Sequence, residues 1–447
     1  IERVNGALNA VVVRRFEEAR REAKAADKRV RAGGELPPLL GVPCTVKEFF
    51  GVAGLPQTGG LVARRHTRAT EDAITVERLR AAGAIVVGTT NVPEGGIWLE
   101  TYNAVYGRTN NPWDTARTSG GSSGGEGAIV AAGGVPFGLG SDVGGSIRIP
   151  SAFCGVVGHK PSGRLVPNLG QFPSATGEAL AYLCAGPIAR RASDLMPLLR
   201  ILAGPDPRDS AAVAMPLGDP AAVALGELEV YAIPESGRFR VADAMKQAVL
   251  DGARTLERRG ARLRDLDLPE LRRGLEIWGA MLEEASEQGY EELLADGSDQ
   301  ARIAPLAELA KAVVGRSNHT LPALVVGVLG AAVAKLPLGA KKLVEEGRAL
   351  KRRLDAQLGD RGVLLYPPYT RPAPRHHDVW RTPFDPAHTA LFNVLELPGT
   401  VVPMGFDARG LPTSVQILGA QGRDHVTIAA ALALEEAHGG WTMATPR

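Results

Sequence analysis

The chain is short of cysteine. Only Cys44, Cys154 and Cys184 occur in 447 residues. An odd, low count at this length argues against a disulfide framework, and none of the three stands at CxxC or other metal-ligand spacing. They read as small buried hydrophobes in a reducing compartment, so a cytoplasmic location is expected. Long apolar runs are also missing. The longest runs from Leu321 to Ala334, short of the roughly twenty residues a membrane-spanning helix needs. A buried core helix is expected there, with membrane contact the disfavoured alternative. Charge of one sign is lacking too: 51 basic and 49 acidic side chains leave a net +2. That balance gives no field for steering nucleic acid, and no nucleic-acid partner is expected. No internal repeat or clear linker divides the chain, and one domain over 1–447 is expected. The opening Ile1-Glu2-Arg3-Val4-Asn5 reads as mid-helix sequence, so further residues upstream of it are an expectation.

Several catalytic motifs are absent as well. There is no GxxxxGK[ST] phosphate loop. Gly138-Leu139-Gly140 places its third glycine one residue late for a dinucleotide fingerprint. No serine has a lysine three residues on, which removes the S-x-x-K site. There is no HExxH and no paired CxxC. His376-His377-Asp378 is the one metal-like string, far in sequence from the serine-rich region. Neither metal nor organic cofactor is expected.

What is present is an alternation of helix and strand. Phe16, Ala19, Ala23, Ala26 and Val30 fall at helical spacing before Gly33-Gly34. Leu39 to Val46 reads as a strand interrupted by Pro43. Ile74 to Ala82 reads as a helix, with Ile85-Val86-Val87 the strand after it. Ala244–Arg258 with Ala261–Leu268 repeats the pattern, and residues 270–360 are helix-rich. Strand character returns at Val363–Pro367, Thr400–Pro403 and Ser414–Leu418, before a closing helix from His425 to His438. This is α/β patterning, with a layered, helix-covered sheet.

Residues 103–160 differ. Ser119–Gly127 reads SGGSSGGEG and Gly138–Ser146 reads GLGSDVGGS. Between them, Ala128–Ala132 suits a buried helix. Glycine permits positive φ and close backbone approach, and two such loops around a buried helix look like a built site. Gly120-Gly121-Ser122-Ser123-Gly124 fits the GxSxG elbow. That elbow must follow a buried strand, yet Asn110 to Thr115 is loop chemistry.

The full string from Gly120 to Ser162, GGSSGGEGAIVAAGGVPFGLGSDVGGSIRIPSAFCGVVGHKPS, resembles the amidase signature. GVPCTVKEFF from Gly41 resembles the lysine strand of that family. GTTNVPE from Gly88, YGRTNNPWD from Tyr106, GPIAR from Gly186, FNVLELPGTVVP from Phe392 and GLPTSVQILG from Gly410 extend the resemblance over nearly the whole chain, with 205–360 the weakest part. The resemblance implies an α/β amidase signature fold, a large mixed twisted sheet covered by helices on both faces. The Ser-Ser-Lys core would lie in 41–162 and a helix-rich variable region in about 270–360. It implies Lys47 as catalytic lysine, Ser122 as a bridging serine after a cis peptide, and Ser146 as the acylated nucleophile. The N–H groups of Val143, Gly144, Gly145 and Ser146 would form the oxyanion hole. Gly96, Ile97, Trp98 and Leu99 fall where relatives line an acyl channel.

Elementary chemistry agrees with that assignment. A serine hydroxyl needs a base, and none of the eight histidines lies in the two glycine-rich loops. A lysine is a base only when neutral; bringing its pKa from about 10.4 to near 7 takes about 4–5 kcal/mol of bias against the ammonium. Burial supplies such bias, and Lys47 sits between Val42-Pro43-Cys44-Thr45-Val46 and Phe49-Phe50. A second hydroxyl can both accept and donate, so Ser122 can carry a proton from Ser146 to Lys47 and back toward the departing amine. Glu126, Asp142 and Arg148 read as scaffold holding the loops. Within the family, SDVGGSIRIPSAFCGVVGHKPS and SNHTLP (from Ser317) favour the fatty acid amide hydrolase branch. A small amide with an apolar acyl or aryl group is the expected substrate. The family alternative is the glutaminase subunit of a tRNA-dependent amidotransferase, with Arg371 and His376-His377-Asp378 as candidate polar contacts. A homodimer is left open.

Overall fold

The computed structural model describes residues 1–333 and 339–446, without the side chains of 329–333. Its strands are β1 (Val11–Arg14), β2 (Pro43–Lys47), β3 (Ile85–Thr90), β4 (Tyr102–Asn103), β5 (Gly107–Arg108), β6 (Phe137–Asp142), β7 (Val157–Lys160), β8 (Cys184–Ala189), β9 (Glu229–Ala232), β10 (Arg262–Arg264), β11 (Gly362–Tyr366), β12 (Gly399–Phe406) and β13 (Pro412–Leu418). All but the β4–β5 hairpin join one sheet of eleven strands in the order β1-β3-β2-β6-β8-β7-β12-β13-β11-β9-β10. The sheet is mixed: β3, β2 and β6 run parallel, as do β11, β9 and β10, while the central β6-β8-β7-β12-β13 run pairs antiparallel. The α/β expectation and the large mixed sheet are what the structure has.

Side-chain alternation explains why helices cover both faces. On β11, Val363 and Leu365 join one core cluster while Leu364 and Tyr366 join another. A strand buried on both faces reads as a continuous apolar run, as Gly362-Val363-Leu364-Leu365-Tyr366 does. The helices Ile74–Ala81, Leu195–Leu202, Asp243–Arg258 and Asp424–His438 pack on the first cluster. Gly274–Ala285, Ala340–Leu358 and Ala387–Val394 pack on the second. Among the described residues, helices alone fill the stretch between β10 and β11.

Two local expectations change. Gly138–Asp142 is not loop but most of the central strand β6. Glycine weakens a strand, which hid it. The reason for glycine is close approach: a Cβ on Gly138 would lie 1.8 Å from a Glu126 carboxylate oxygen. The apolar run also differs. Leu321–Val333 is a helix whose Ala323 and Leu324 pack with Leu61, Leu294 and Ile303, but Leu321 is 52% exposed. Ala334, the end of the expected run, lies outside the described residues. Among the described residues, no helix is long and apolar enough to cross a membrane.

Candidate active site

Lys47 ends β2, between β3 and β6, where flanking strands exclude water. Its side chain is fully buried. Nζ donates to Ser122 Oγ at 2.7 Å, to Ser141 Oγ at 3.0 Å and to the Ser141 carbonyl at 3.3 Å. It also sits 4.5 Å from the centre of the Phe49 ring. Burial pulls the Lys47 pKa down to about 7, against the opposing fields of Asp142 and Glu126. Glu126 is buried too, and desolvation pushes its carboxyl up to about 8 although the hydroxyls of Thr45 and Thr90 donate to it.

Ser122 is buried and follows a cis Gly121–Ser122 peptide, as the resemblance implied. It precedes the wholly buried helix Gly124–Ala131. Ser146 lies in the turn from β6 to the helix Arg148–Cys154 and is 9% exposed. The two serine segments run side by side: Ser123 N–H donates to the Ser146 carbonyl at 3.2 Å. The structure thus gathers Lys47 and the segments of Ser122 and Ser146 at one end of β2 and β6.

The turn before Ser146 is held by a buried ion pair. Arg148 meets Asp142 through Nε and Nη2, both at 3.0 Å, and neither side chain is exposed. Burial opposes the charge on Asp142, but Arg148, joined by Lys160 and Asn393, holds the carboxyl well below its usual range. Asp142 also accepts from the N–H of Gly145 at 2.7 Å and of Ile147 at 3.1 Å. Gly145 takes φ of 126°, which only glycine adopts readily. Of the four N–H groups expected to face an oxyanion, that of Gly145 is therefore already engaged. Among the described residues, those of Val143, Gly144 and Ser146 have no acceptor. Asp142→Asn is expected to destabilise the fold by about 3–5 kcal/mol by leaving the Arg148 guanidinium buried without its counter-charge. Urea unfolding measures this; a loss below about 1 kcal/mol would contradict it. Because the folded-state pKa of Asp142 is depressed, its contribution is in place above about pH 4 and is lost as the pH falls below it.

The expected acyl-channel residues are placed as follows. Gly96 lies against Phe49, the ring that faces Lys47; a Cβ there would be 2.9 Å from it. The Trp98 carbonyl and Leu99 lie over Gly121, beside Ser122. Trp98 is half-buried and packs on Trp380, ring centres 4.6 Å apart. Ile97 is 37% exposed. Sequence reasoning missed Ser141, which the string GLGSDVGGS contained, Asn393, which the string FNVLELPGTVVP contained, and two residues with no local signal, Trp278 and Thr389. Trp278 Nε1 donates to the Val143 carbonyl, Thr389 Oγ1 to that of Gly144 and Asn393 Nδ2 to that of Asp142. The His376-His377 string serves structure. His376 Nδ1 lies 3.0 Å from buried Glu100, and the His377 N–H donates to the same carboxylate. Arg371 pairs with Asp385. No group of three or more His, Cys, Asp or Glu among the described residues is arranged to hold a metal.

Comparison with known proteins gives the family of the chain. The family model described as "Amidase" matches residues 1–428. The zebrafish (Danio rerio) fatty-acid amide hydrolase 2-A is 39% identical, over 99% of this chain and 84% of that protein. A glutamyl-tRNA(Gln) amidotransferase subunit from Geobacillus stearothermophilus is 31% identical, over 94% of this chain and 88% of that one. A solved bacterial aryl acylamidase superposes with a TM-score of 0.76 at 27% identity, covering 98% of this chain and 90% of its own. The chain belongs to the amidase signature family of amide hydrolases.

Proposed function

We propose that this enzyme cleaves amides of apolar acyl or aryl acids through an acyl-enzyme on Ser146, with Lys47 as base and Ser122 as the proton relay. The observation that carries this reading is the 2.7 Å contact from Lys47 Nζ to Ser122 Oγ, made by a buried lysine whose pKa is about 7. Neutral Lys47 takes the Ser122 proton as Ser122 takes that of Ser146. Ser146 Oγ then bonds to the amide carbon, and the carbonyl π electrons move onto oxygen. The resulting oxyanion meets the N–H groups of Val143, Gly144 and Ser146. Gly145 contributes the turn, its own N–H being held by Asp142. As the C–N bond breaks, the proton returns from Lys47 through Ser122 to the departing nitrogen. Water enters by the same relay and releases the acid, restoring Ser146. A preorganised donor of this kind typically contributes roughly 3–4 kcal/mol to the barrier.

The apolar acyl group rests on the placement of Gly96, Trp98 and Leu99 around Phe49 and Gly121, and on the likeness to fatty-acid amide hydrolase 2-A. Arg371, the two histidines and Asp378, the side chains expected as contacts for a polar amino-acid substrate, have partners within the protein. Each methylene added to the acyl chain is expected to raise kcat/KM close to fourfold, from about 0.8 kcal/mol of burial, until the channel is full. The check is kcat/KM over acyl anilides from two carbons upward, with glutamine alongside. A flat or falling series with efficient glutamine hydrolysis would overturn the apolar reading and favour the amidotransferase-type glutaminase.

A further inference from the structure

The oxyanion turn is secured through its carbonyls from outside. Starting at Asp142, four successive carbonyls have a donor each. Asn393 Nδ2 reaches that of Asp142 at 2.9 Å. Trp278 Nε1 reaches that of Val143 at 2.8 Å. Thr389 Oγ1 reaches that of Gly144 at 2.7 Å, with the Pro386 carbonyl a longer alternative at 3.2 Å. The Ile149 N–H reaches that of Gly145 at 2.7 Å.

A trans peptide is planar, and its C=O and N–H point in opposite directions. Fixing a carbonyl therefore fixes the N–H of the next residue. Asn393 sets the direction of the Val143 N–H, and Trp278 that of Gly144. Thr389 sets that of Gly145, whose N–H then meets Asp142. Ile149 sets that of Ser146. Thr389 and Asn393 stand on one helix, Ala387–Val394. Trp278 stands on Gly274–Ala285, which packs against it. The Trp278 ring also covers Gly144, with Cζ2 3.4 Å from where a Cβ would be.

Without these anchors a glycine-rich turn has more than one backbone choice. A peptide flip at Val143–Gly144 would point a carbonyl where the oxyanion forms. We propose that Trp278 and Thr389 are positioning residues for catalysis: Trp278 holds the Val143 carbonyl and so aims the Gly144 N–H at the developing oxyanion, while Thr389 holds the Gly144 carbonyl and so keeps the Gly145 N–H on Asp142, which fixes the turn between the oxyanion donors. This rests on the reading of Ser146 as nucleophile. Through Trp278, it assigns the helix-rich 270–360 region, where the resemblance is weakest, a part in the chemical step.

The test uses Trp278→Phe, which keeps a ring and removes the donor, and Thr389→Val, with Thr389→Ser as the hydroxyl-retaining control. Melting curves establish that each is folded. The readouts are kcat and KM for an acyl anilide, and inhibition by an acyl trifluoromethyl ketone, which forms a tetrahedral oxyanion on a serine. Losing an oxyanion donor outright lowers kcat roughly 10²–10³-fold, so loosening one is expected to lower it about tenfold. The ketone should weaken by a similar factor, with KM within about twofold and Thr389→Ser near wild type. Unchanged kcat in Trp278→Phe and Thr389→Val, or a raised KM at unchanged kcat, would overturn the inference. If a fluorophosphonate labels Ser146 in the wild type, that failure is of this inference alone. If it labels another serine, both readings fall together. Should Thr389→Val not fold, Trp278→Phe decides by the same split.

Discussion

Ser146→Ala is expected to lower kcat by about six orders of magnitude, the size of the loss when a catalytic serine is removed. The residue has no substitute. Ser122 makes its contact with Lys47 and lies in the segment beneath Trp98 and Leu99, whereas Ser146 ends the turn whose Val143, Gly144 and Ser146 N–H groups have no acceptor among the described residues. What survives in the variant would come from the oxyanion donors and substrate positioning alone. Folding should be nearly unaffected, because the hydroxyl of Ser146 has no hydrogen bond with the described residues. Retention of more than about a tenth of the activity would contradict the assignment. Steady-state kinetics on an acyl anilide, after active-site purity is checked, is the measurement.

Lys47→Ala is expected to lower kcat/KM at least about a thousandfold and to abolish the acid limb of the pH profile. The sign follows from the direction of the shift. Burial lowers the lysine pKa to about 7, so the neutral base gains population as the pH rises through that value. Wild-type activity should rise about tenfold per pH unit below roughly 6 and level off above about 8. A lysine left at its ordinary value would still be climbing at about pH 10. Lys47→Arg should be as inactive as Lys47→Ala, since a guanidinium stays protonated. Near-normal turnover in Lys47→Ala, or an unchanged pH profile, would contradict the lysine mechanism.

How much was legible in the sequence varied with how local the cause was. The helix over Phe16–Ala32, the strand at Ile85 and the closing helix over Asp424–His438 follow from residue patterning, with Gly33-Gly34 as the stop of the first. Lys47 at a strand end was legible because apolar residues surround it on both sides. The strand β6 was not, since Gly138 and Gly140 carry weak strand preference and their role is to admit Glu126 and Ser123 at close range. The helix Arg148–Cys154 was hidden by Pro150, which is tolerated because it falls in the first turn. Trp278 was least legible of all. It meets Val143 across 135 residues of sequence, and nothing in its own neighbourhood marks it as different from any helix tryptophan. The scaffold role expected of Asp142, Arg148 and Glu126 is what the structure has: the first two form the buried pair before Ser146, and the third joins β2 to β3 through Thr45 and Thr90.

The proposed mechanism stands or falls on Ser146 being the residue that is acylated. The most direct test is to label the wild-type enzyme with a fluorophosphonate, digest it and locate the adduct by mass spectrometry. A single adduct on Ser146, absent from Ser146→Ala, is the expected result. An adduct on Ser122 or Ser123 would contradict it and return the site to a GxSxG-type nucleophile.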